Sequence, residues 1–257
     1  MSEKRRRARI QSGWAANASV LSKPQHKAKE HSHTYQFHPT AQIKVKPADI
    51  VYSEDGEYIL SKTENGVSSI KLFTHFIPQD ETKWMFEQLL HEIPWQQESI
   101  VVIGTRKLQP RLTAWYGDIP YTYSGLTLKP YQFSQALEIL KEKIALKMSL
   151  HFNSMLANLY RTEKDSVDWH SDDEPSLGAL PVIASLSFGE TRTFELRQKP
   201  SVGDDYSFSQ HVKVPLSSGS LLIMEGATQI DWQHRVPKDY HDRDARINLT
   251  FRNICQT

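Results

Sequence analysis

The chain has 257 residues, of which 39% are hydrophobic and 24% charged, the composition of a soluble globular protein with a sizeable core. A formal net charge of +1 excludes a globally positive surface, so any nucleic acid that the chain binds must meet a local basic patch. The single cysteine, Cys255, excludes an internal disulfide and favours a reducing compartment, and the sequence predicts neither a membrane span nor a secretory signal.

The first 46 residues differ from the rest of the chain in charge. They contain ten Lys or Arg and two Glu, a balance of +8, so the remaining residues carry −7. Because this stretch has few apolar residues and no periodicity, we predict a disordered basic N-terminal tail at residues 1–46 and one folded domain at residues 47–257. The basic cluster at residues 4–9 is typical of a nuclear-localisation signal, a nonspecific nucleic-acid tether or a solvated terminus.

Two short strands and a helix are predicted at the start of the folded part. Residues 58–60 and 70–73 have strand character, and Asn65-Gly66 is the predicted hairpin turn between them. Residues 78–93 predict a helix with Asp80 as its cap. Its apolar side chains at helical spacing are Trp84, Met85, Leu89 and Ile93. Residues 130–148 predict a second amphipathic helix that supports the sheet.

Residues 99–111 predict a β-hairpin that turns at Ile103-Gly104. An ordinary hairpin packed on a sheet is one interpretation. The other is a finger over an active site, in which cationic side chains bind phosphate and an apolar tip wedges beside a displaced base. The cationic side chains of the return arm are Arg106, Lys107 and Arg111.

From residue 152 onward most segments have strand character. The predicted strands are residues 153–160, 182–188, 193–197, 208–215, 220–224 and 247–252. Many short strands separated by Gly and Pro turns indicate a mainly β, α+β fold with flanking helices and a double-stranded β-helix (jelly-roll) core. Such a core brings side chains that are distant in sequence to one mouth.

A histidine and a carboxylate two residues apart, His170-x-Asp172, are candidate metal ligands. On an extended backbone, residues i and i+2 point to the same face, so both side chains can reach one ion. A second histidine, His234, would complete a facial triad of two His and one carboxylate, which suits non-haem Fe(II) chemistry. A hydrolytic zinc site with the same ligands is the competing interpretation.

The strand at residues 246–252 alternates between a polar and an apolar face. Its polar face carries Arg246, Asn248 and Arg252. One interpretation is an edge strand whose polar face is exposed to solvent. The other is a clamp for a small dicarboxylate, because a guanidinium binds a carboxylate through a bidentate fork. A dicarboxylate clamp beside a facial triad implies 2-oxoglutarate as co-substrate, whereas a hydrolytic zinc site gives the two arginines no role.

Together these residues resemble the AlkB type of Fe(II)- and 2-oxoglutarate-dependent dioxygenases. The resemblance is carried by His170-x-Asp172, His234 and Arg246-x-Asn248-x-x-x-Arg252. It extends over roughly residues 50 to 254 and is closest over residues 110–117, 158–178, 184–189, 224–228 and 232–252. It implies that the two histidines and Asp172 bind Fe(II), with 2-oxoglutarate and dioxygen as co-substrates.

The resemblance also implies which residues bind the co-substrate. Arg246 would pair with the far carboxylate of 2-oxoglutarate. The side chains that would hydrogen-bond its oxygens are Asn158, Tyr160, Asn248 and Arg252. The implied activity is oxidative demethylation of 1-methyladenine and 3-methylcytosine in DNA and RNA, with release of formaldehyde and succinate, as in alkylation repair.

Substrate contacts are implied at the finger and beside the metal. Tyr123 would lie in the base pocket, although dense aromatic rings are also typical of a core. Asp173 and Glu174 would meet the amine and the cationic ring of the methylated base, or are plain solvent-facing charge. The implied finger contacts are Ile103, Arg106, Lys107 and Arg111. Single-stranded DNA or RNA is the expected substrate, yet the apolar tip at Val102 and Ile103 resembles duplex-reading members of the family.

Three functional classes compete on the sequence. The first is the nucleic-acid demethylase. The second is an oxygenase of the same chemistry that hydroxylates a protein or a small molecule, and the third is a binding module without catalysis, against which the intact ligand set argues. For the first we expect a monomer in nucleus and cytoplasm, a helicase complex as a partner and no membrane association.

Overall fold

The computed structural model describes residues 45–102, 104–123 and 125–255, without the side chains of Val102 and Tyr123. Residues 1–44 of the predicted N-terminal tail and the finger-tip residue Ile103 therefore lie outside the described residues. Among those residues, no helix has the length and apolar character needed to cross a membrane.

The described residues form strands in two main sheets, two small hairpins and three α-helices. The strands of the first half are β1 (Ile50–Val51), β2 (Gly56–Thr63), β3 (Gly66–Phe73), β4 (Ser99–Val102), β5 (Thr105–Leu108), β6 (Leu112–Gly117), β7 (Tyr121–Tyr123) and β8 (Leu126–Leu128). Those of the second half are β9 (Ser154–Tyr160), β10 (Val167–His170), β11 (Ile183–Gly189), β12 (Arg192–Gln198), β13 (His211–Leu216), β14 (Leu221–Gly226), β15 (Trp232–Val236) and β16 (Arg246–Arg252). The helices are α1 (Gln79–Glu92), α2 (Gln135–Met148) and α3 (Thr228–Asp231).

The main sheets have the crossed connections of a jelly roll. The larger sheet has the order β2-β3-β14-β11-β16-β9-β6, and the smaller has the order β1-β13-β12-β15-β10. Neighbours in both sheets pair antiparallel, except that β1 runs parallel to β13. The predicted fold class, mainly β with flanking helices and a jelly-roll core, is confirmed.

Period-two alternation divides the larger sheet into two chemically different faces. On β16, Ile247, Leu249 and Phe251 are fully buried in one core cluster with side chains of α1 and α2. Burial of each such side chain stabilises the fold by about 1.5–3 kcal/mol relative to exposure. The intervening residues of β16 point to the other face, toward the smaller sheet. The sequence alternation at residues 246–252 therefore predicted the sidedness of this strand correctly.

The space between the sheets is apolar at one end and polar at the other. Its apolar part is a second core cluster that includes Ile70, Leu196, Val214 and Met224 from strands of both sheets. Its polar part lies around β9, β10, β15 and β16, where buried Asn, Arg, Asp and His side chains collect. The apolar core of the jelly roll thus supports the site, and the candidate metal ligands lie at the polar end.

Three local predictions differ from the structure. The first hairpin turns one residue earlier than expected: Thr63 pairs with Gly66, so the turn residues are 64 and 65, and the Asn65 amide donates to Asp231 Oδ1 at 2.7 Å. On α1, Asp80 lies in the first turn without capping it, because Pro78 occupies the cap. Trp84 is 52% exposed, since the buried stripe of α1 runs through Thr82, Met85 and Leu89.

Gly226, the last residue of β14, leads into α3 and cannot carry a side chain without strain. Its φ is 61°, and a Cβ there would lie 2.0 Å from the Val67 carbonyl oxygen. Gly226→Ala should therefore destabilise the fold by more than the ~1–2 kcal/mol that left-handed backbone costs an L residue. Gly203→Ala is the matched control, because Gly203 has a φ of 89° with nothing within 4 Å. Equal losses in denaturant unfolding would contradict the close approach at Gly226.

Candidate active site

The two histidines of the predicted triad face each other across paired strands. β10 and β15 are antiparallel neighbours, and His170 is the cross-strand partner of His234. Their rings lie 4.2 Å apart, and each Nε2 lies 3.9 Å from a carboxylate oxygen of Asp172. One potential ligand atom from each of the three side chains lies within 4.8 Å of the others. The fold therefore collects the three residues that the sequence singled out.

Neighbouring groups fix the orientation of these side chains. His170 Nδ1 lies 2.8 Å from the Asp168 carbonyl oxygen, which directs Nε2 toward Asp172. The backbone N–H of Asp172 donates to Gln229 Oε1 at 2.9 Å, and Phe194 stacks on His234 at 5.2 Å. Contacts of this kind fix the tautomer and ring orientation of metal-binding histidines.

The charges of the triad suit a divalent ion. Burial lowers the pKa of His234 to about 3, so its imidazole is neutral at pH 7. Burial raises the pKa of Asp172, but the charge of Arg252 counters it, and the net pKa lies below the ordinary value. Two imidazoles and one carboxylate are the donor set of a facial-triad Fe(II) site. These residues fit the metal that the sequence predicts.

The polar face of β16 forms a cradle with the two strands beside it. β16 lies between β9 and β11, and Arg246 pairs with Tyr160 while Asn248 pairs with Asn158. Asn248 Nδ2 donates to Ser185 Oγ at 2.8 Å. Four of the five residues predicted to bind 2-oxoglutarate therefore share one buried face of the larger sheet. They are Asn158 and Tyr160 on β9, and Arg246 and Asn248 on β16.

Arg246 is a buried cation with unused donors. It is 1% exposed, and its Nη2 donates to Ser187 Oγ at 2.9 Å. Within the described residues, Nε and Nη1 have no hydrogen-bond acceptor. Burial lowers the pKa of Arg246 to about 10, despite a favourable contribution from Tyr160. A buried guanidinium with open donors requires an anion, and the far carboxylate of 2-oxoglutarate meets that requirement.

Arg252 contacts the metal-binding motif directly. Its Nη2 donates to Asp172 Oδ2 at 3.1 Å, and its Nη1 donates to the Tyr121 hydroxyl at 2.8 Å. Both Arg252 and Asp172 are nearly fully buried. The sequence indicated only a co-substrate contact for this residue. The structure shows in addition that Arg252 is a hydrogen-bonded partner of the triad carboxylate, and its charge lowers the pKa of Asp172.

Arg111 does not lie on the finger. The hairpin ends with β5 at Leu108, and Arg111 precedes β6, where it is 8% exposed. Its Nε donates to Asn158 Oδ1 at 2.8 Å. The pairing of β6 with β9 carries Arg111 to the lining of the cavity, so its predicted place on the finger differs from the structure, while its contact with substrate stays a prediction.

A cavity of about 960 Å³ joins the cradle, the triad and the finger. Its volume is at the upper end for small-molecule sites, which leaves room for a second ligand beside a small co-substrate. Lys107 and Arg106 are both exposed on the same strand of the finger, and Lys107 lines the cavity. The predicted contacts of Ile103 and of the Tyr123 side chain lie outside the described residues.

The two acidic residues after the triad have different environments. Asp173 is 66% exposed at its side chain, with Lys199 Nζ 3.9 Å away. Glu174 Oε1 accepts a hydrogen bond from the Tyr121 hydroxyl at 2.8 Å. Burial raises the pKa of Tyr121 well above its ordinary value, so this hydroxyl stays protonated. Glu174 Oε2 is buried and has no donor among the described residues.

Several residues of the site had no sequence assignment. Ser185 and Ser187 contact Asn248 and Arg246, and Tyr121 joins Arg252 to Glu174. Polar residues at period two within the otherwise apolar segment 184–188 were a usable signal for the two serines. Tyr121 had no such signal, because its partners lie 53 and 131 residues away.

Comparison with known proteins supports the same site. A family model described as the 2OG-Fe(II) oxygenase superfamily matches residues 69–252. The chain is 47% identical over 277 residues to the alpha-ketoglutarate-dependent dioxygenase alkB homolog 3 of Homo sapiens and to that of Mus musculus, with 99% of this chain and 97% of each relative covered. It is 36% identical over 209 residues to the DNA oxidative demethylase ALKBH2 of Arabidopsis thaliana, which covers 73% of this chain and 67% of that relative.

The family model spans most of the chain, and the identity to the first two relatives extends over nearly its full length. The triad and the dicarboxylate cradle fall within the matched residues. This chain belongs to the 2OG-Fe(II) oxygenase superfamily and is an AlkB-type dioxygenase that uses Fe(II), 2-oxoglutarate and dioxygen.

Proposed function

We propose that this dioxygenase demethylates 1-methyladenine and 3-methylcytosine in DNA and RNA, preferring single strands, and so repairs alkylation damage. The observation that carries the proposal is the Glu174 carboxylate, two residues beyond the triad Asp172. One of its oxygens accepts a hydrogen bond from Tyr121, and the other has no donor among the described residues. Methylation at these ring nitrogens makes the base cationic, and a buried carboxylate favours a cation over the unmodified base. The name of the Arabidopsis thaliana relative, a DNA oxidative demethylase, supports a nucleic-acid substrate.

The chain's own residues provide binding and orientation for this reaction. His170, Asp172 and His234 would hold Fe(II), and Arg246 would hold 2-oxoglutarate with Asn158, Tyr160 and Asn248. With both bound, the centre would supply oxidation by dioxygen, one oxygen atom entering succinate as 2-oxoglutarate loses carbon dioxide and the other entering the N-methyl group as a hydroxyl. The hydroxymethyl product then breaks at its C–N bond to give formaldehyde and the repaired base.

Base access is supported by the size and the borders of the cavity. A methylated base must leave its stack to reach a buried metal, and unstacking is least costly in single strands. The finger, residues 99–108, places Lys107 at the cavity and Arg106 in solvent, where cations can bind phosphate. Because residues 47–257 carry a net charge of −7, these cations are a local basic patch on an acidic domain.

Charge reversal on the finger separates a nucleic-acid substrate from a protein or small-molecule substrate. The double variant Arg106→Glu, Lys107→Glu should lower kcat/KM on methylated oligonucleotides by more than ~10-fold, because two phosphate contacts become repulsive. Succinate formation without substrate should be unchanged. Lys62→Glu, Lys83→Glu is the matched control, since both lysines are exposed on β2 and α1 and do not line the cavity. Equal activity of the two double variants would favour the alternative hydroxylase.

We also propose a nuclear and cytoplasmic location, a monomeric state and a helicase complex as a partner. The basic cluster at residues 4–9 and the single cysteine support the location. The family resemblance supports the partner. Size-exclusion chromatography with light scattering tests the monomer, and imaging of a variant without residues 1–46 tests the location.

A further inference from the structure

The loop at residues 237–245 connects the two parts of the active site. It follows β15, which carries His234, and precedes β16, which begins at Arg246. Pro237, Lys238 and Tyr240 line the same cavity as the finger residues Ile100, Lys107 and Leu108. Two separate segments therefore border the cavity, and each contributes one lysine and at least one apolar or aromatic side chain.

Side-chain and backbone contacts hold this loop in place. Asp239 Oδ1 accepts from the backbone N–H of Tyr240 at 2.7 Å, and Asp239 Oδ2 accepts from Arg243 Nε at 2.8 Å. The backbone N–H of Asp239 donates to the Glu163 carbonyl at 3.0 Å. Arg192, 2% exposed, donates to the Pro237 carbonyl and to carbonyls of the loop after β9. The loop is therefore preorganised, which lowers the entropic cost of binding a ligand.

This anchored loop presents an aromatic side chain and a cation to solvent. Tyr240 is fully exposed, and its ring has no stacking partner among the described residues. Lys238 is exposed and forms no ion pair within the same residues. An aromatic face beside a lysine is the combination that binds single-stranded nucleic acid, in which the ring stacks on a base and the cation meets phosphate.

We propose that this loop is a second strand-binding contact, in which Tyr240 stacks on a base that flanks the reacting nucleotide and Lys238 binds the adjoining phosphate. The proposal rests on the proposed function, because it assigns the neighbouring nucleotide of the same substrate. The finger and the loop would then hold the strand at two points, with the methylated base between them in the cavity.

The test combines variants of Tyr240 with substrates that lack one flanking base. Single-stranded nonamers carry 3-methylcytosine with an abasic site on its 5′ side, on its 3′ side or on neither. Tyr240→Ala should lower kcat/KM on the intact nonamer by roughly 10-fold, through KM, and Tyr240→Trp should restore it. On the nonamer that lacks the contacted base, wild type and Tyr240→Ala should be equal. Trp84→Ala is the matched control, an exposed aromatic on α1 that does not line the cavity.

Lys238→Gln gives an independent readout. It should weaken binding of the nonamer. It should also reduce the slope of log Kd against log salt concentration by about 1, the change expected for the loss of one phosphate contact. The proposal is overturned if Tyr240→Ala and Trp84→Ala have the same kcat/KM on the intact nonamer. It is also overturned if Tyr240→Ala lowers kcat/KM by the same factor on both abasic nonamers as on the intact one. Fluorescence anisotropy with an unmodified nonamer reports the contact without turnover. Absence of demethylation by wild type would therefore refute the proposed function, while the binding data still decide on the loop.

Discussion

Asp172→Asn is expected to abolish turnover and to leave the fold intact. The amide removes the negative charge that a facial-triad metal requires, yet it keeps an oxygen that can accept the hydrogen bond from Arg252 Nη2. We expect kcat to fall by more than ~100-fold, because removal of an outer partner of a metal ligand already costs 10–100-fold. Succinate formation at saturating Fe(II) and 2-oxoglutarate measures this loss, and turnover close to that of wild type would refute the triad.

Two further variants separate catalysis from stability at the triad. Asp172→Ala removes the carboxylate from a buried ion pair with Arg252, a change that typically costs about 3–5 kcal/mol. His170→Ala should abolish turnover with little loss of stability, because the His170 side chain is 37% exposed. In thermal unfolding of the metal-free proteins, the midpoint temperature of Asp172→Ala should therefore be well below that of His170→Ala. The reverse ranking would show that the ion pair is not what holds Asp172.

Arg246→Lys is expected to raise the KM for 2-oxoglutarate by about 10- to 100-fold. Lysine keeps the charge but loses the fork, and each hydrogen bond to a charged group contributes about 1.5–3 kcal/mol. The kcat at saturating 2-oxoglutarate should change much less, because the clamp contacts the end of the co-substrate that does not react. Initial rates at varied 2-oxoglutarate measure both constants. An unchanged KM would contradict the clamp, and the KM for the oligonucleotide serves as the internal control.

Arg246 should favour binding of 2-oxoglutarate but lower the stability of the ligand-free protein. Its guanidinium is buried with two donors that have no acceptor in the described chain, and burial lowers its pKa to about 10. A folded-state pKa below the unfolded value means that folding disfavours the charged form, so the charge opposes folding at neutral pH. Arg246→Met should therefore unfold at an equal or higher temperature than wild type without ligand. It should lose the stabilisation that 2-oxoglutarate and a redox-inert divalent metal give wild type.

The parts of the site that could be predicted are those encoded locally. The spacing of His170 and Asp172 determines that both point to one face, and alternation along β16 determines which side chains face the cradle. His234 could be named as a candidate, but its choice among the histidines rested on the resemblance, because β15 is short and its apolar positions, Trp232 and Val236, alternate too briefly for a pattern to stand out.

The parts that could not be predicted depend on pairing between distant strands. Arg111 looked like a finger residue because it follows Arg106 and Lys107 in the same segment, and only the β6–β9 pairing shows that it is buried against Asn158. The chain of contacts from Asp172 through Arg252 and Tyr121 to Glu174 joins segments up to 131 residues apart. No local pattern encodes such contacts, so the ionised state of Asp172 and the fixed orientation of Glu174 required the fold.

The most direct test of the proposed function is to weigh methylated oligonucleotides after reaction. Single- and double-stranded DNA and single-stranded RNA carrying 3-methylcytosine are incubated with the protein, Fe(II), 2-oxoglutarate and ascorbate, and succinate is measured in parallel. We predict the loss of one methyl group per additional succinate, faster on single strands than on the duplex and absent in Asp172→Asn. Formation of succinate while every oligonucleotide keeps its methyl group would contradict nucleic-acid demethylation and indicate a different substrate for the same iron site.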